Sequence, residues 1–104
     1  NLPKLPAGLT KLDCYSCTNL ESLPELPAGL TKLDCRFCSA LKSLPELPAG
    51  ITELNCGGCT ILESLPELPA GLKKLWYSST PLAKDKKLIY ALIKKHPGLY
   101  IYVH

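Results

Sequence analysis

The sequence predicts a repeat solenoid: short parallel strands joined by extended return arms, ending in a C-terminal helix–strand cap. Three observations carry this expectation. A phrase recurs with a constant step of 21 residues, starting at Leu2 (LPKLPAGLTKLDCYSCTNLES), Leu23 (LPELPAGLTKLDCRFCSALKS), Leu44 (LPELPAGITELNCGGCTILES) and Leu65 (LPELPAGLKKLWYSSTPLA). Each copy combines an alternating apolar stretch with a proline-rich stretch. After the fourth copy the pattern gives way to KKLIYALIKKHPG, whose apolar residues recur at helical spacing. A period of about 20–29 residues marks stacked units that bury a shared core and cannot bury it alone.

Within a copy, Leu12 and Cys14 stand two apart, which puts both on one face of a strand and turns Asp13 and Tyr15 to the other. The stretch SLPELPAG carries two prolines three apart. Proline fixes φ and lacks an N–H, so this arm runs as polyproline II or extended coil, and Leu23 and Leu26, one polyproline turn apart, both face inward. Gly29, with Gly8, Gly50 and Gly71, marks the bend into the next strand. In the fourth copy Tyr77 and Thr80 take the places of Cys14 and Cys17, and Trp76 replaces the aspartate. Leu88, Ile89, Leu92 and Ile93 predict a helix stopped by Pro97 and Gly98, with lysines suiting its C-terminal dipole. The closing LYIYVH alternates and is rich in β-formers, predicting a short strand. A helix and strand in that place would cover the last coil.

The pattern LxxLxCxxCxxLxxLPxLPxxL resembles the leucine-rich repeat, with Cys14 and Cys17 where that family usually has Leu and Asn or Cys. The LPxLP arm is similar to the short repeats of bacterial and viral type, including those of secreted bacterial effectors. The resemblance covers residues 2–82. It implies a horseshoe fragment with a concave strand face, and a scaffold that the family uses for many partners. The expected organisation is a solenoid over 1–82 and a cap over 83–104.

The composition fits a globular chain: 104 residues, 46% hydrophobic, 20% charged, net charge +3. No apolar run approaches the 18 or so residues of a membrane span, and no signal peptide opens the sequence. The absence of any methionine, even at position 1, points to a piece of a longer chain or a processed form. The copy that begins abruptly at Asn1 points to further chain upstream or a neighbouring molecule over that edge. Lys73, Lys74, Lys84, Lys86, Lys87, Lys94 and Lys95 concentrate positive charge in the last third. A solvated helix face accounts for them, since no nucleic-acid motif accompanies them.

The six cysteines form three CxxC motifs, which raise metal and redox chemistry. They recur with the leucines at the repeat period, which favours buried structural thiols over a Cys14, Cys17, Cys35, Cys38 zinc set or disulfides. Cys17, Cys38 and Cys59 fall where the resembled family has an asparagine ladder, a role for which a thiol is a weak donor. Reduced thiols would place the chain in an intracellular, cytoplasmic compartment.

With the period subtracted, the variable positions lie on the outward strand face. They are Lys11, Lys32, Glu53 and Lys74 in one column, Asp13, Asp34, Asn55 and Trp76 in the next, then Tyr15 and Arg36, with Phe37 at a strand end. Tyr, Trp and Arg are enriched at binding hot spots, so these residues form the candidate partner-binding face. A plain solvated sheet is the competing reading, and Trp76 has the further option of packing under the cap. Neither His96 nor His104 has a nucleophile or carboxylate at motif spacing, and PAGLTK lacks the pattern of a phosphate loop. The expectation is therefore a non-catalytic module, without cofactor, metal or membrane partner, that binds another protein. Self-assembly through the flat LPELP side is the first alternative and a cysteine metal site the second.

Overall fold

The computed structural model describes residues 5–102 as a β-solenoid whose strands are all parallel. Strands β1 (Lys11–Asp13), β2 (Lys32–Asp34), β3 (Glu53–Asn55) and β4 (Lys74–Trp76) come one from each copy. A 3-10 turn (Pro81–Lys84), helix α1 (Lys86–Lys95) and strand β5 (Tyr100–Tyr102) follow. The sheet order is β1-β2-β3-β4-β5, and the register keeps equivalent residues opposite one another: Leu12, Leu33, Leu54, Leu75 and Ile101 form one row. The terminal strand therefore continues the repeat's sheet although its sequence has left the repeat.

A strand of three residues is too short to hold a coil by itself. The inter-coil ladder extends beyond it on both sides, from Thr31 N–H to Thr10 O (2.7 Å) through Cys35 N–H to Asn55 O (2.8 Å) to Phe37 N–H to Gly57 O (2.9 Å). The LPELP arms lie at the opposite side and are held by leucines: Leu23, Leu26, Leu44, Leu47 and Leu68 are buried, while the glutamates between the prolines are exposed. Each fully buried leucine contributes roughly 2 kcal/mol through removal of apolar area from water. The stack begins less well covered, with Leu9, Leu12 and Cys17 only partly buried, whereas Leu30, Leu33 and Cys38 in the next copy are sealed.

The bends expected at the glycines are present, and a second set of turns follows the strands. The Pro-Ala-Gly-Leu turns close through Leu30 N–H to Pro27 O (3.1 Å) and its equivalents, but without a left-handed residue. The left-handed conformation falls instead on the third residue of each CxxC and its counterpart: Ser16 (φ 59), Phe37 (φ 59), Gly58 (φ 76) and Ser79 (φ 58). The chain must turn sharply there to leave the strand, and only one copy uses the glycine that such a φ favours.

Helix α1 is capped by Asp85, whose Oδ1 accepts from Leu88 N–H at 3.1 Å, satisfying one of the free donors of the first turn. It buries Leu92, with Leu88 and Ile89 partly covered, and leaves Tyr90 and Ile93 exposed. None of the helices among the described residues is long and apolar enough to cross a membrane. Leu2 of the first copy and His104 lie outside the described residues.

Candidate functional site

The outward face of the sheet carries a groove of about 430 Å³, floored by Leu12 and Leu33. Lys11, Asp13, Lys32, Asp34, Arg36, Glu53, Asn55 and Trp76 line it, so side chains from all four copies meet there. Tyr15, Phe37 and Lys74 do not line the groove. Tyr15 and Phe37 stand at the ends of the strands and are about half exposed (51% and 49%), a degree that leaves half of each ring available for contact.

Two ion pairs neutralise the middle of the face. Lys32 Nζ lies 3.1 Å from Glu53 Oε2, across the β2–β3 pair. Arg36 meets Asp34 with Nε at 3.0 Å from Oδ1 and Nη2 at 2.9 Å from Oδ2, a bidentate fork that also holds the guanidinium proton above its ordinary range. The fork positions the Arg36 guanidinium 5.0 Å from the Tyr15 ring centre, and Phe37 meets the same ring edge-on at 5.5 Å. A cation, a phenol and a phenyl thus form one lip.

The second column has a structural duty that its sequence variation conceals. Asp13, Asp34 and Asn55 each use Oδ1 to accept the backbone N–H two residues on, at 3.0, 3.1 and 3.1 Å, from Tyr15, Arg36 and Gly57. Aspartate and asparagine interchange because either supplies that acceptor. Trp76 cannot, and stacks on Tyr102 of β5 with ring centres 4.9 Å apart and planes 10° apart. It thus joins the terminal strand while still lining the groove. Tyr100, beside Lys74 in the register and 66% exposed, and Tyr102 extend the two columns into β5. Both were missed from sequence; the alternation in YIY, aligned on KLW, is the signal that would have placed them.

Behind the sheet the thiols form a ladder. Cys14, Cys35 and Cys56 donate at 3.4 Å to the carbonyls of Asp34, Asn55 and Trp76 in the following coil. Cys38 and Cys59 donate at 3.0 Å to the carbonyls of Cys14 and Cys35 in the preceding coil. The weak donor does take up the ladder bond, because the site is buried and offers a carbonyl that would otherwise lack one partner. Burial pushes the Cys14, Cys38 and Cys56 thiols up from their ordinary range. Among the described residues, no three His, Cys, Asp or Glu side chains are grouped to hold a metal ion. In the fourth copy Thr80 Oγ1 donates to Tyr77 O at 2.6 Å, and the Tyr77 hydroxyl is buried without a hydrogen-bond partner.

No protein-family profile matches the chain, and no curated protein matches it in sequence.

Proposed function

We propose that this chain is a leucine-rich-repeat-type module that binds another protein through the outward, concave face of its sheet and performs no catalysis. The observation that carries this reading is the meeting, in one groove, of the variable positions from all four copies. The inward positions repeat almost unchanged, whereas this face presents Lys11, Arg36, Tyr15, Phe37 and Trp76, residue types suited to specific contact. Its carboxylates support no acid–base role: Asp34 and Glu53 are held in ion pairs, Asp13 closes a turn, and neither histidine nor thiol lines the groove. A bound partner would rest on the aromatic lip and on Trp76, with Lys11 and Lys74 supplying charge at the two ends.

The test is capture from source lysate by the native chain, by Tyr15→Ala with Trp76→Ala, and by Glu25→Lys with Glu46→Lys on the arms. Loss of a captured protein only with the face variant, both variants keeping the native melting profile, supports the reading. Equal capture by all three contradicts it. Self-assembly is favoured by a different observation, the partly covered Leu9, Leu12 and Cys17 at the β1 end of the stack. Concentration-dependent sedimentation that Leu12→Lys abolishes would decide for it.

A further inference from the structure

We propose that the thiol ladder contains two oxidisable cross-link sites, Cys14 with Cys38 and Cys35 with Cys59, each able to join one coil to the next as a disulfide. The pairing follows from the register. The Sγ of Cys38 lies 3.0 Å from the carbonyl oxygen of Cys14, and that of Cys59 lies 3.0 Å from that of Cys35, the same 24-residue separation in both cases. All four cysteines are unpaired and buried in one apolar cluster.

Partners within a CxxC motif are not brought together in this way. Cys14 Sγ turns towards the following coil (Asp34 O), while Cys17 Sγ stays over its own turn, 4.0 Å from Tyr15 O. The 24-residue rule also identifies the thiols left over. Cys17 would need a cysteine in a coil before its own, and the position that would serve Cys56 is occupied by Thr80. Among these six cysteines the rule therefore pairs four and leaves Cys17 and Cys56 without a counterpart within residues 1–104.

The chemistry balances with hydrogen peroxide as oxidant. A transient opening of the coil admits the peroxide. The Cys59 thiolate attacks one peroxide oxygen, giving a sulfenic acid and, after protonation of the leaving hydroxide, one water. The Cys35 sulfur then displaces the sulfenic hydroxyl, forming the S–S bond and releasing a second water. Each link thus oxidises two thiols by two electrons in all and reduces one peroxide to two waters. Of the two, Cys59 is the thiol held below its ordinary range by its neighbour Cys35, which makes it the first nucleophile of the pair.

The links lie behind the sheet, leave the groove free, and would restrict separation of the first three coils. The experiment exposes the native chain to hydrogen peroxide without denaturant, alkylates remaining thiols under denaturation, and maps disulfides in a tryptic digest. Cleavage after Arg36 separates Cys35 from Cys38, so the alternatives give different products. Peptide 33–36 joined to 43–73 and 12–32 joined to 37–42 is the expected result, retained in Cys17→Ser and Cys56→Ser variants. Peptide 33–36 joined to 37–42, links abolished by Cys17→Ser or Cys56→Ser, or all six cysteines recovered alkylated would each overturn the proposal.

Discussion

Of the glycines, Gly58 has the least room for a side chain. Its φ of 76° is left-handed, and a Cβ added there would overlap the Phe37 ring of the preceding copy. Gly58→Ala therefore has two costs. The left-handed backbone costs an alanine about 1 kcal/mol more than a glycine. The Phe37 ring must also leave its seat and lose its edge-on contact with Tyr15, another ~1 kcal/mol. The total is about 2 kcal/mol. Phe37→Ala removes the overlap, so in that background Gly58→Ala should cost only the backbone share, about 1 kcal/mol. Urea denaturation of the four proteins of this cycle, followed by far-ultraviolet circular dichroism, gives both numbers. An identical cost in the two backgrounds would refute the claim that Phe37 is seated on Gly58.

Two further predictions follow from buried groups. Tyr77→Phe removes a hydroxyl that is buried without a partner, and should raise stability by about 1 kcal/mol, since such a group carries its desolvation cost uncompensated; a lowered urea midpoint would show that the hydroxyl is satisfied. The raised thiols of Cys14, Cys38 and Cys56 favour the protonated form in the folded state relative to an ordinary value of 9.0. Their contribution is full below that value and is lost as pH rises above it, at about 1.4 kcal/mol per pH unit for each thiol until its folded pKa is reached. Cys56→Ala should flatten the loss of stability between pH 9 and 10.5, read as a smaller fall in melting temperature, whereas an unchanged slope would show that Cys56 does not titrate differently on folding.

Much of this architecture was legible because the repeat states each inward position several times. Leu12, Leu33 and Leu54 share a period, and a period converts directly into register. The proline pairs excluded a helix from the return arm, and the YIY alternation announced a final strand. Three features were hidden for physical reasons. The left-handed turn residues Ser16, Phe37 and Ser79 are not glycines, so no composition signal marks the bend. The Asp13, Asp34, Asn55 column reads as variable surface, although the duty it performs needs only a side-chain oxygen. Trp76 reads in the sequence as either a groove or a cap residue, and stacking on Tyr102 lets it serve both.

The most direct test of the binding face is site-specific photo-crosslinking in source lysate. A benzophenone side chain would be placed in turn at Tyr15 and Trp76 on the sheet face, and at Glu46 and Glu67 on the return arms. Crosslinks to one and the same foreign protein from both face positions, with none from the arms, is the predicted result. Crosslinks from the arms alone, or adducts only between copies of this chain, would contradict it.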